Sequence, residues 1–180
     1  MRRPQLLVWL STLGVASVAF IAAAAGSTAS PGPGSTRPSP EPPTAIVHTS
    51  TLTLEGARLA GEAAARYAMD HGAGGAIAVV DSGGALLYLV RLDNTFPAAA
   101  EVSIAKARTA AIFRKPTQAF EHAIRDGRVS LTAVAAMTPL EGGIPIIVDG
   151  QVVGAVGCSG AMSSAQDVEV AQAGVAAIGR

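Results

Sequence analysis

Three histidines, one cysteine and a loose group of charged residues are the side chains of this sequence with chemistry to offer. His48 stands in a stretch with no periodicity and no fixed partner. His122 falls on the polar side of a short amphipathic segment, opposite Phe120, Ala123 and Ile124, which is the side that faces water. His71 differs, because it projects on the apolar face of a helical segment, in the last turn, where the helix C-terminus favours an imidazolium. It reads either as a helix-ending histidine with a partly covered ring or as a metal ligand. No HExxH pattern and no zinc-type Cys/His spacing occurs. Cys158 ends an apolar strand, the place of a buried small hydrophobe rather than a nucleophile, and a single cysteine excludes an internal disulfide framework. Asp81, Arg91, Asp93, Glu101 and Lys106 lie near one another along a hairpin and the next helix. They form either a polar site or charges that hold the hairpin against the helix.

The glycines raise a second chemistry. Gly154, Gly157 and Gly160 have a spacing that invites a phosphate-cradling loop. A dinucleotide fingerprint needs a following βαβ unit and an acidic residue beyond it, and only one helical segment remains before the end of the sequence. The reading that remains is a strand whose glycines let another backbone approach, from a helix of the same domain or from a neighbouring subunit. The formal net charge is zero, so no basic field points to nucleic acid.

The elements that must position these residues follow from periodicity. Thr53 caps a helix over Leu54 to about His71, with Leu54, Ala57, Ala60, Gly61, Ala64, Tyr67 and Ala68 on one face. That face is small, so the helix should lie close against a sheet. Ala76–Val80 and Ala85–Arg91 make a hairpin through Asp81-Ser82-Gly83-Gly84. A helix from Pro97 to about Phe113 carries two apolar stripes, Val102/Ala105/Thr109/Ile112 and Ala100/Ile104/Ala107/Ala111, and so lies between two layers or at a subunit contact. Pro116 breaks it, and a short helix follows to Arg125. Val129–Met137 reads as loop plus a short strand. Ile144–Val148 and Gln151–Cys158 form a second hairpin at Asp149-Gly150, and Ser163 caps the last helix with Gln166 three residues on. Strands arriving as hairpins predict an α+β domain, an antiparallel sheet with helices on one side.

The ends set the cell biology. Met1-Arg2-Arg3 precedes an uncharged run, Leu6 to Ala25, that closes on Ala23-Ala24-Ala25. This is the layout of a secretory signal peptide over residues 1–25, and left uncleaved the run is long enough to span a bilayer, the one route to a membrane. Residues 26–50, rich in Pro, Ser and Gly at their start, form an exposed tether, and the domain occupies 51–180. An exported protein, periplasmic or extracellular, is the expectation.

The motifs themselves resemble a known family. Ala76-Ile77-Ala78-Val79-Val80-Asp81 with Gly84, Arg91 and Asp93 looks like its first hairpin. Lys106-Ala107-Arg108-Thr109-Ala110 and Arg114-Lys115-Pro116-Thr117 look like its central helices. GGIPIIVDGQVVGAVGCSGA and Gln166-Asp167 with Ala171-Gln172-Ala173-Gly174 look like its C-terminal signature. On these the chain is identified as a member of the GlcG/HbpS family of haem-binding and haem-degrading proteins, similar also to the C-terminal domain of PduO-type corrinoid adenosyltransferases. The resemblance covers roughly Thr51 to Gly179. It implies a profilin-like fold, ring-like homo-oligomers such as octamers, and in some secreted members haem or iron binding that feeds a sensor protein. Haem in some members sits near the threonine after the proline of the central helices, here Thr117. The expected cofactor-binding set is therefore Thr117, Phe120 and His71, with His71 as the iron ligand on physical grounds. The family has Val or Ile where this chain has Cys158, and a histidine at His71 is no hallmark of it. The functional expectation is an exported haem- or tetrapyrrole-binding oligomer acting as carrier or sensor, with no catalytic residue assigned. The alternative is an accessory protein or enzyme of a small-molecule catabolic pathway, without haem.

Overall fold

The computed structural model describes residues 45–178. The uncharged run and most of the Pro/Ser/Gly segment, with the export expectation that rests on them, lie outside the described residues. Among the described residues no helix is long and apolar enough to cross a membrane.

Helix α1 spans Leu54–Asp70, and the Thr53 hydroxyl accepts from the Gly56 amide at 3.1 Å. Its buried residues are Ala57, Ala60, Gly61, Ala64, Ala65 and Ala68, so the buried side of the helix has almost no side-chain height. That is why Gly61 can lie directly on the Tyr88 ring. The helix stops one residue short of the expected end, and His71 caps it from outside.

Strands β1 (Ala76–Asp81) and β2 (Leu86–Arg91) pair antiparallel, as do β3 (Gly143–Val148) and β4 (Gln151–Ser159). The two hairpins join through β1 and β4, giving the order β2-β1-β4-β3. Each turn is specified by its residues. Asp81 Oδ1 accepts from the amides of Gly83 at 2.9 Å and Ala85 at 2.8 Å. Asp149 and Gly150 both take positive φ, 49° and 74°, the twist a two-residue hairpin needs.

Side-chain alternation along β1 and β4 divides the core in two. Ile77, Val79, Val156 and Cys158 face α1 and α4 (Ser164–Ala176), while Ala78, Val80 and Ala155 face α2 (Ala99–Phe113). Helices therefore cover both sides of the sheet, which corrects the one-sided arrangement read from the hairpins. Strands that are apolar on both faces were the signal for it. Helix α2 is itself sandwiched. Ala107, Ala110 and Ala111 pack on the sheet, while on its other side the buried Thr109 hydroxyl accepts from the Thr138 amide at 2.9 Å. The Ala107/Ala111 stripe thus serves the protein's own sheet, and the helix lies between two layers.

Helix α3 (Gln118–Arg125) follows, then a single 3-10 turn at Val129–Ala133 where a short strand was expected. Val129-Ser130-Leu131-Thr132-Ala133 alternates apolar and polar residues as a strand would, but its hydrogen bonds close locally, the Leu131 amide donating to the Arg128 carbonyl at 3.2 Å and the Thr132 hydroxyl to the Val129 carbonyl at 2.7 Å.

The glycine-rich strand is explained by α2. A Cβ on Gly157 would collide with the Ser103 carbonyl and stand 2.6 Å from the Ala107 amide nitrogen. The backbone that the glycine admits belongs to a helix of the same domain.

Candidate functional site

The charges expected to cluster near the first hairpin do not assemble. Asp81 shapes its turn, and Arg91, Asp93 and Glu101 are exposed. Lys106 instead runs inward. Its ammonium meets Asp167 Oδ2 at 2.8 Å and the Cys158 carbonyl at 2.9 Å, with the two side chains 4% and 9% exposed. Asp167 Oδ1 accepts from the Ala161 amide at 3.0 Å and lies 3.5 Å from Cys158 Sγ. Taking two ions out of water costs several kcal/mol each, on the order of what such close contacts return. Here the returns are well placed, and among the described residues no buried side-chain nitrogen or oxygen lacks a partner. The pair binds α2, the end of β4 and the first turn of α4 at one point. Sequence reasoning missed Asp167 as a partner because it lies 61 positions from Lys106.

Cys158 is fully buried, and burial together with the Asp167 carboxylate pushes its thiol pKa far upward. A raised folded-state pKa means stability is fully present below the thiol's ordinary value, about 8.5, and is lost as pH rises above it. Urea unfolding between about pH 8 and about pH 10.5 should therefore show a fall in stability of up to about 1.4 kcal/mol per pH unit from this group. Cys158→Ala should lack that component, and equal slopes in the two proteins would contradict it.

Thr117 is fully buried. Its hydroxyl accepts from the Gly143 amide at 2.9 Å, and its own amide donates to the Gly143 carbonyl at 3.0 Å. Through these bonds it clasps the start of α3 to the start of β3. Phe120 is half-buried and meets Phe113 edge-on, with ring centres 5.5 Å apart. Next to it His122 is exposed as expected, with Nε2 3.3 Å from Glu141 Oε1. Glu121 Oε2 accepts from the Glu141 amide at 2.7 Å. Among the described residues no group of three or more His, Cys, Asp or Glu side chains is arranged to hold a metal ion by itself.

His71 lies apart from Thr117 and Phe120 in the chain, so the three expected residues divide between two elements. The His71 ring is exposed rather than set on the apolar face, and stacks on Tyr67 with centroids 3.9 Å apart. Its Nδ1 is 2.8 Å from the Tyr67 carbonyl. A carbonyl can only accept, so Nδ1 carries the proton, and in the neutral ring Nε2 keeps a free lone pair. Tyr67 in turn lines an open groove of about 390 Å³ along α1, with Leu59, Ala63 and Ala173 as apolar wall. Arg66, Glu62 and Asp70 also line the groove, one cation and two carboxylates. A single oriented imidazole, stacked on a tyrosine that lines a groove with apolar wall, is a donor that suits an iron porphyrin better than a bare metal ion, which needs further ligands.

Comparison with known proteins supports the same direction. The family model described as "Haem degrading protein HbpS-like" matches residues 52–176. Protein GlcG of Escherichia coli is 49% identical over 83 residues, 46% of this chain and 62% of GlcG, so the aligned stretch spans less than two thirds of that relative. The crystal structure of HbpS superposes with a TM-score of 0.71 at 32% identity, covering 76% of this chain and 96% of that one. The crystal structure of a PduOC–haem complex has the same fold, with a TM-score of 0.64 at 23% identity over 71% of this chain and 95% of its own. The family model spans every helix and strand from α1 to α4, and the chain belongs to the HbpS-like family of haem-degrading proteins.

Proposed function

We propose that this protein is an exported haem-binding protein that associates with copies of itself and acts as a carrier or sensor. The observation that carries the reading is the His71 imidazole, with Nδ1 held by a backbone carbonyl and its ring stacked on Tyr67, which lines the α1 groove. Bound there, haem would supply its iron chemistry, and this chain's part is to hold it. His71 Nε2 would hold the iron, Leu59, Ala63 and Tyr67 would lie against the macrocycle, and Arg66 would receive a propionate. Thr117 acts through the fold, not on the iron.

Self-association is supported by an uncovered apolar patch. Leu86, Leu89 and Ile112 are 43%, 40% and 38% exposed, beside half-buried Ile104. Leu86 and Leu89 pair with Val80 and Ala78 on the α2 side of the sheet, and Ile112 packs over Gly84 in the adjoining turn. Export rests on the uncharged Leu6–Ala25 run.

Titrating haemin into the purified protein tests the reading. Wild type and Thr117→Val should both move the Soret band away from that of free haemin, with circular dichroism as a check on folding. His71→Ala should abolish the shift. A shift unchanged in His71→Ala would move the ligand elsewhere, and no shift in wild type would remove haem from the account.

A further inference from the structure

Both hairpin turns lie at one end of the sheet, because β4 begins where β1 ends, with Asp81 opposite Gly154. The C-terminus of α2 reaches the same end, where Ile112 packs over Gly84. The chain just before α1 crosses it as well and is tied down at three points. The Ser50 amide donates to Gln151 Oε1 at 3.3 Å, the Ser82 hydroxyl to Thr51 Oγ1 at 3.1 Å, and the Leu52 amide to the Val153 carbonyl at 2.8 Å. Beside these ties lies an open cavity of about 610 Å³, within the size range of small-molecule sites. None of the residues described above for haem lines it.

The lining chemistry has one sign. Val47, Ile147 and Val152 supply apolar wall, Ser50, Ser82 and Gln151 supply polar groups, and His48 and Arg114 supply the titratable nitrogen and the fixed cation. No carboxylate lines the cavity. Among the described residues Arg114 has no ion-pair partner within 4.0 Å. Arg114 also sits where glycine would be the easy choice. It caps α2 in the left-handed region, at φ 55° and ψ 37°. A bulky residue there carries a conformational cost that glycine would avoid.

We infer that the cavity between the two hairpin turns is a binding site for a small oxoanion, a carboxylate or a phosphate, with Arg114 as its cationic anchor. The guanidinium fork meets two anion oxygens at once, and the Ser50 hydroxyl can donate to the same group. His48, which the sequence left without a partner, gains one in this site.

The left-handed backbone provides an unusual test, because Arg114→Gly removes the cation while suiting the main chain. Thermal unfolding of the purified protein is followed against rising sodium acetate and, separately, sodium phosphate, each compared with sodium chloride at equal ionic strength. A saturable rise in Tm is expected with at least one of the two, and the arm that responds identifies the anion class. Arg114→Gly should unfold at or above the wild-type Tm without anion, yet bind about tenfold or more weakly. Arg114→Asn, whose side chain tolerates the same backbone region, should behave likewise. No saturable rise in wild type, or a rise that persists in both variants, overturns the inference. The haemin Soret shift is read on the same variants and should not change, so failure of the anion site and failure of the haem reading are separable.

Discussion

Asp167→Ala should lower the unfolding free energy by about 3–5 kcal/mol, a large part of the ~5–15 kcal/mol that holds a domain together. The magnitude comes from what is left behind. Without Asp167 the Lys106 ammonium, 4% exposed on its side chain, keeps only the Cys158 carbonyl as partner, and the Ala161 amide loses its acceptor. An uncompensated buried charge costs more than the pair itself is worth, so removing both charges should be milder than removing one. Lys106→Met with Asp167→Asn keeps an amide oxygen for Ala161 and a stem of similar length through α2. The double variant should be more stable than Asp167→Ala. Urea midpoints for wild type, each single variant and the double variant check this. A double variant as unstable as the sum of its singles would show that the charges act independently, and the clamp would then be no clamp.

Much of the architecture was legible because it follows from local rules. Thr53 and Ser163 cap the helices they were read to cap, with hydroxyls accepting from Gly56 and Gln166. The second hairpin turns at Asp149-Gly150 because two successive positive φ values are needed there and those residues tolerate them. The failures that bear on the sites are mostly non-local. Whether helices cover one side of the sheet or both depends on how β1 meets β4, and no turn signal encodes that pairing. The partner of Lys106 comes from α4 through the folded core. The tie of the Thr117 hydroxyl to Gly143 likewise follows only from the packing of α3 on β3.

The two candidate sites were legible to different degrees for the same reason. His71, the cap of α1, stands four positions after Tyr67, so their proximity follows from helical spacing that a sequence reveals. What the sequence hid is that His71 lies past the last helical residue, which turns the ring outward and frees Nε2. Arg114 and His48 are separated by 66 positions, and only the shared end of the two hairpins brings them to one cavity.

Gly157→Val should destabilise the domain by about 3 kcal/mol or more, and Gly157→Ala by somewhat less. Two effects oppose each other in the alanine case. Replacing glycine restricts the unfolded chain and by itself stabilises by roughly 0.4–1 kcal/mol. Against it stand the Ser103 carbonyl and the Ala107 amide, main-chain atoms of α2 that cannot rotate away as a side chain would. Relief requires the whole helix to lift from the sheet, which opens gaps around Ala78, Val80 and Ala155 and strains the Lys106–Asp167 contact at the same time. The steric term therefore wins. Gly83 gives the matched control, since a Cβ there meets only Asp81 Oδ1 at 3.4 Å and no positive φ is required. Gly83→Ala should be neutral or slightly stabilising. Thermal unfolding of the three variants side by side decides it. Equal Tm values for Gly157→Ala and Gly83→Ala would mean that α2 yields without cost and that the glycines of β4 do not set its distance from the sheet.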